Sequence, residues 1–253
     1  MQIIKEFIGR VLPEGLLAHL RAADHYLNGE PELRLLRHLC DKSKISLDIG
    51  ANIGTYTYFM RRYSRAVYAY EPNPDLAQRL QRLFPGVTVR NAAASDAPGE
   101  LTLRIPVEGG RVQHELASVS QDFESSQEVA EFTVKAAPID DEGLSNVGFI
   151  KIDAEQHELP VLAGCLKTIR ACRPAILTEV TPLLYDRPLP DMFGFLTDLG
   201  YEGWFKFDRA YHPFTDFSGP VHANPENWGG RFMNNNIVFL PKEFDNKFLP
   251  QTP

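Results

Sequence analysis

Cysteine is scarce in this chain: three in 253 residues, at Cys40, Cys165 and Cys172. That is too few and too scattered for a disulfide framework or a zinc knuckle, and the three read as small buried apolar residues of a reducing compartment. Long hydrophobic runs are missing as well. Nothing approaches the roughly 18 apolar residues of a membrane span, and the opening "MQIIKEFIGRVLPEGLLAHL" is interrupted by Lys5, Glu6 and Arg10, which argues against a signal peptide. The expectation is a cytoplasmic protein. Basic charge is in deficit, with 26 Lys and Arg against 33 Asp and Glu and a net charge of −7, so no nucleic-acid partner is expected. No internal repeat or low-complexity tract interrupts the chain.

What remains is ordinary globular material, 43% hydrophobic and 23% charged, enough for one large domain or a domain with an appendage. Ile3, Ile4, Phe7, Ile8, Val11 and Leu12 recur at helical spacing. They predict an amphipathic helix that packs on the domain, with peripheral membrane contact as its alternative. A second helix is expected at about 31–40. Residues 1–44 therefore read as a helical extension before a domain over 45–253.

From Ile45 the pattern alternates between apolar strand, short turn and helix. Strands are expected at 45–49, 66–70, 87–91, 147–152, 174–180, 201–207 and 236–240, and helices near 55–63, 74–83, 157–171 and 190–199. Near-continuous apolar strands separated by helices indicate a parallel sheet covered on both faces. Ligands of such sheets lie beyond the carboxyl ends of the strands, where the strand order reverses. Two stretches break the rhythm: an insertion at about 92–146, containing strand-like "ELTLRIP" and "EFTVKAA", and a long connection at 208–233, rich in Pro, Gly and aromatics.

The first strand runs into "SLDIGANIG". A dinucleotide turn needs G-x-G-x-x-G with a pyrophosphate on the next helix, yet Gly50-Ala51-Asn52-Ile53-Gly54 lacks the middle glycine. Asp48 would also aim a carboxylate at the diphosphate. Such a charge suits a cationic ligand, and S-adenosylmethionine carries an ammonium and a sulfonium and no phosphate. On this reading Asp48 receives the ammonium, and the glycines let the backbone approach the ligand. Glu71, which ends the second strand in "YAYEPNP", can accept the two ribose hydroxyls.

Strand 147–152 ends at Asp153, and Glu155, His157 and Glu158 follow within five residues. Titratable groups beside the reacting centre are where a general base belongs. Glu155, His157 and Glu179 are the candidates, while Glu158 also fits the first turn of the following helix.

"LDIGANIGTYT", "YAYEPNP", "NAAASDAPGELTL", "IKIDAEQHELPVLAG" and "RPAILTEV", in that order over residues 45–180, resemble the FkbM family of S-adenosylmethionine-dependent methyltransferases. One departure is Gln156, where the family usually has glycine. The resemblance implies an α/β class I methyltransferase fold, Rossmann-like, with a seven-stranded, mostly parallel sheet whose last strand is antiparallel. It further implies O-methylation of sugar or polyketide hydroxyls. Carried over by motif, Asp48, Gly50, Asn52 and Gly54 would line the methionine half of the cofactor, Glu71 and Pro72 would hold the ribose, Asn91 and Ala92 would lie at the adenine edge, and Asp153 would flank the methyl group. No metal site is expected. Tyr211, Phe214, Phe217 and Trp228 either face a small-molecule or glycan acceptor or pack their loop on the sheet. An NAD-dependent oxidoreductase and a non-catalytic cofactor-binding module stand as alternatives.

Overall fold

The apolar run "VGFIKI" shows why the sheet is central: all six of its residues are buried, as a parallel strand covered on both faces requires. A computed structural model describes residues 13–113, 117–120, 128–182, 185–207, 210–224 and 236–249. The helix expected over 3–12 and the aromatic Trp228 lie outside the described residues.

The strands are β1 (Ile45–Ile49), β2 (Ala66–Tyr70), β3 (Thr88–Arg90), β4 (Ala93–Ala94), β5 (Gly99–Glu108), β6 (Arg111–Val112), β7 (Val129–Ala137), β8 (Val147–Ile152), β9 (Ala175–Glu179), β10 (Tyr201–Phe207), β11 (Ala210–Pro213) and β12 (Asn236–Pro241). The main sheet has the order β11-β10-β12-β9-β8-β1-β2-β3. All seven expected strands are in it, and β12 runs antiparallel to both β9 and β10. The eighth strand, β11, is a correction to the sequence reading: it falls inside the expected long connection and pairs antiparallel with β10. The order reverses between β1 and β8, which pair in parallel. The insertion forms its own small sheet, a β5–β7 hairpin flanked by β4 and β6.

Helices α1 (Glu14–Asn28), α2 (Thr55–Tyr63), α3 (Pro74–Leu83), α4 (Glu158–Ala163) and α5 (Leu166–Cys172) cover the sheet. One face packs Leu47, Ile150 and Ile176 against Val161, Leu162 and Ile169. On the other, Phe149, Leu177 and Val238 meet Leu33, Leu36, Phe59 and Met60. The segment expected as one helix at 31–40 is a 3-10 turn (Pro31–Arg34) followed by a short helix (Leu36–Leu39). The segment 190–199 likewise splits into Leu189–Met192 and Gly194–Asp198. Among the described residues, no helix is long and apolar enough to cross a membrane.

The helix expected over 157–171 is also two helices, and the cause lies in the insertion. Asp140 accepts hydrogen bonds from Lys167 N, Thr168 N and Thr168 Oγ1, each at 2.8 Å, and so caps a new helix start at α5. Its own N–H donates to the carbonyl of Gly164 at 2.9 Å. A Cβ on Gly164 would collide with the Ser95 carbonyl, so glycine permits this close docking. Glu142 adds a two-pronged ion pair with Arg90 at 2.6 and 2.8 Å. Replacing Asp140 by Ala is expected to cost about 1–2 kcal/mol of stability through the lost cap, read as a lower urea midpoint with an unchanged slope.

Candidate active site

β1 ends in a turn with three left-handed residues, Gly50 (φ 76), Asn52 (φ 48) and Gly54 (φ 89). The N–H groups of Gly50 and Ala51 both donate to the Tyr70 carbonyl at the end of β2, and the Asp153 N–H donates to the Ile49 carbonyl at 3.0 Å. That last bond draws the end of β8 so close that a Cβ on Gly50 would run into the Asp153 carbonyl. Glycine is therefore required where the strand order reverses. At Gly54 the neighbours are the Phe84 and Leu80 side chains. Gly54 seats α2 against α3 and does not line the cleft, contrary to the sequence reading.

A cleft of about 600 Å³, counting the space at its mouth, opens beyond these strand ends. Of the expected residues, Gly50, Asn52, Glu71, Pro72, Ala92, Asp153, Glu155 and His157 line it. Glu71 is already engaged by backbone: Oε2 accepts from Asn52 N at 2.7 Å and Oε1 from Asn73 N at 2.8 Å. Burial pushes its carboxyl up to about 7. Asn91 stands just outside the cleft, where its amide donates to the carbonyls of Glu71 and Pro72 at 2.9 and 2.8 Å. It shapes the β2 turn and does not face the cleft itself. Leu103, Ala117 and Val119 of the insertion complete the wall; Leu103 lies in a strand-like run, while nothing in the sequence signals Ala117 and Val119.

Asp48 corrects the sequence reading most sharply. Strand alternation turns it away from the cleft, toward α2, where it is 1% exposed and accepts a short hydrogen bond from Thr57 Oγ1. Burial raises its carboxyl to about 6. The negative lining comes instead from Glu71, Asp153 and Glu155.

Beneath them lies a residue the sequence reading missed. Lys151, 1% exposed in β8, holds its Nζ 3.5 Å from Glu179 Oε2 and 3.7 Å from Asp153 Oδ2, and 4.9 Å from the centre of the Tyr56 ring. Burial alone would depress this ammonium, but the carboxylates of Asp153 and Glu179 outweigh it and hold it above its ordinary value. Its one signal in the sequence was a lysine inside an otherwise apolar strand. Glu179 thus serves the ion pair under the site and does not line the cleft. Asp153 is raised well above the usual carboxylate range, first by desolvation and then by the charges of Glu179 and Glu155.

The loop after β8 is wound unusually tightly. Glu155 (φ 44) and Gln156 (φ 73) are both left-handed, each costing about 1 kcal/mol for a side chain with a Cβ. Glu158 secures them: its Oε1 accepts from Ala154 N and Gln156 N, both at 3.2 Å, and its Oε2 accepts a short bond from the Tyr185 hydroxyl. His157 is no free base. Its Nε2 meets Ser95 Oγ at 3.0 Å and its Nδ1 meets Ser120 Oγ at 2.6 Å, and burial lowers its pKa. Its imidazole, with both nitrogens occupied, ties the insertion to the loop. Glu155 remains: it faces the cleft, and burial followed by the charges of Glu179 and Glu158 raises its carboxyl to about 7. Among the aromatics, Tyr211 is buried and donates to Glu32 Oε1 at 3.0 Å. Phe214 packs edge-on against Phe239 and Phe193. Neither faces an open cleft, whereas Phe217 does, in a second cleft.

The strand-order reversal, the glycine turn there and the acid closing the second strand are common to Rossmann-like cofactor folds; the antiparallel β12 inserted between β9 and β10 gives the sheet of the class I, S-adenosylmethionine-dependent methyltransferases. Residues 48–202 match the family model described as the methyltransferase FkbM domain, and the chain belongs to the FkbM methyltransferase family. That membership sets aside the nicotinamide alternative. The hexuronic acid methyltransferase AglP of Haloferax volcanii is 26% identical over 151 residues, covering 57% of this chain and 60% of that protein. The crystal structure of methyltransferase FkbM from Methylobacillus flagellatus KT superposes with a TM-score of 0.50 at 17% identity, covering 93% of this chain and 57% of that one. The chain thus spans about 60% of the length of each of these relatives.

Two measurements check the site's energetics. Gln156→Gly is expected to raise stability by about 1 kcal/mol, because it removes a left-handed side chain whose buried Nε2 has no hydrogen-bond partner among the described residues; a higher melting temperature reports it. Asp48, Glu71 and Glu155 all have folded pKa values above their unfolded ones. The folded chain therefore holds more protons between about pH 4 and 7 and loses stability as pH rises through that window. Melting of the ligand-free protein should be lower at pH 7.5 than at pH 5, and Glu71→Gln should flatten that difference.

Proposed function

We propose that the protein transfers the methyl group of S-adenosylmethionine to a hydroxyl of a sugar. The observation that carries this reading is the lining of the cleft at the strand-order reversal. The charged groups that line it are the carboxylates of Glu71, Asp153 and Glu155, and no described lysine or arginine is among its lining residues, Lys151 lying beneath Asp153. Such a donor set fits a ligand bearing an ammonium and a sulfonium and would repel a diphosphate. The sugar is supported by the hexuronic acid methyltransferase among the relatives.

Glu71 would hold the ribose, since each of its oxygens accepts one backbone N–H and keeps a lone pair for a hydroxyl. Asp153, backed by Lys151, would receive the ammonium. Gly50, with no Cβ, lets the backbone approach the methionine portion, and Ala92 lies where the adenine edge would rest. When bound, S-adenosylmethionine supplies an electrophilic methyl group. The chain's part is to align the acceptor oxygen with it and to remove the hydroxyl proton as the new C–O bond forms. Glu155 takes that proton. It faces the cleft, and a carboxyl raised to about 7 is a stronger base than an ordinary glutamate. His157 and Glu179 act through others, His157 by fixing the loop and Glu179 by holding Lys151.

The test is calorimetry with S-adenosylhomocysteine combined with a pH profile of methyl transfer to hexoses and hexuronic acids. Binding is expected, with kcat/KM rising through about pH 7. Glu155→Gln should lower kcat by about a hundredfold or more and abolish that rise while leaving S-adenosylhomocysteine affinity nearly unchanged. A folded protein that does not bind S-adenosylhomocysteine, or a Glu155→Gln variant of full activity, would overturn the reading.

A further inference from the structure

Beyond β9 the chain borders a second, open cleft, of about 780 Å³ counting the space at its mouth, which reaches the start of the short helix Leu189–Met192 and the segment 217–220. Pro182, Tyr185, Arg187, Pro188 and Phe217 are prominent in its walls. Its charged groups are Asp186 and Arg187, both exposed. Arg187 forms no ion pair with Asp186 or with any other described residue, so its guanidinium donors stay available.

A chain of hydrogen bonds links this cleft to the cofactor cleft. The Tyr185 ring lines the second cleft, and its hydroxyl donates to Glu158 Oε2. Glu158 Oε1 in turn holds the backbone of Ala154 and Gln156, and Ala154 and Glu155 line the first cleft. A molecule in the second cleft therefore touches Tyr185, which is hydrogen-bonded to the side chain that holds the loop carrying Glu155.

Resting on the methyltransferase reading above, we propose that the second cleft seats the methyl acceptor and that Arg187 binds a carboxylate on it, which makes the acceptor an acidic sugar of the uronate class. Proline and aromatic surfaces such as Pro188, Tyr185 and Phe217 suit the apolar face of a pyranose ring, while a planar guanidinium suits a carboxylate in two-pronged fashion. The charges also set the direction of binding. Asp153 and Glu155 face the first cleft, and an acidic sugar turns its carboxylate away from them and toward Arg187. Its opposite, hydroxyl-bearing edge is then presented to Glu155. Electrostatics thus selects both the substrate and its orientation.

The experiment uses the full chain with S-adenosylhomocysteine present. Methyl β-glucuronoside and methyl β-glucoside are titrated separately, and binding is followed by saturation-transfer NMR. The glucuronoside is expected to bind about tenfold more tightly, as one charge-assisted contact would give. Arg187→Ala should erase the difference, and Arg187→Lys should keep part of it. S-adenosylhomocysteine affinity, unchanged in both variants, reports an intact fold. Equal binding of the two sugars, no binding of the glucuronoside, or a preference that survives Arg187→Ala would overturn the proposal. Failure of the underlying reading would show separately, as a wild-type protein that does not bind S-adenosylhomocysteine.

Discussion

Everything at the carboxyl edge of this sheet depends on how closely the end of β8 approaches the turn after β1. A single backbone hydrogen bond, Asp153 N–H to the Ile49 carbonyl, brings two chain segments together at the reversal of strand order. Only a residue without a side chain fits at Gly50. From that contact follow the cleft, the projection of Asp153 into it and the abrupt winding of residues 154–157. The glycine is thus dictated by a neighbouring carbonyl as much as by any ligand.

The second constraint is the accumulation of negative charge. Asp153, Glu155 and Glu179 gather over the end of β8 and β9, and a buried lysine is placed under them. A lone ammonium in that position would be strongly unfavourable, and so would unpaired carboxylates. Together they hold each other in place, and the fold carries an electrostatic strain that a cationic ligand would relieve. Burial is the main cause that raises the carboxyl groups of Glu71 and Glu155, with the charge of Glu179 adding to it at Glu155.

Much of this was legible in the amino-acid sequence because apolar strands of a covered parallel sheet are strong signals. The β1, β2, β8, β9, β10 and β12 runs read correctly to within a residue or so. What failed had local causes. Asp48 was placed by its nearness to the glycines, but the two-residue alternation of a strand, with Thr57 waiting on the other side, sends it inward. His157 looked like a base because nothing in the sequence announces Ser95 and Ser120, 62 and 37 residues away. The split of α4 from α5 depends on Asp140, a cap from outside the helix that periodicity does not reveal. β11 lay hidden in a stretch rich in turn residues. Gln156, by contrast, was noticed because it departs from the family's glycine, and its left-handed backbone bears out why glycine suits the position.

The hydrogen bonds from Ser95 and Ser120 to His157, together with the Asp140 cap, make the insertion a structural partner of the loop after β8. A segment that looks like an ornament on the sheet is thus a buttress for the loop beside the cleft. Evolution can trade the outer hairpin freely only while it preserves those few footings. Proteins of this architecture whose insertions differ in length should therefore diverge at the tip and agree at the base.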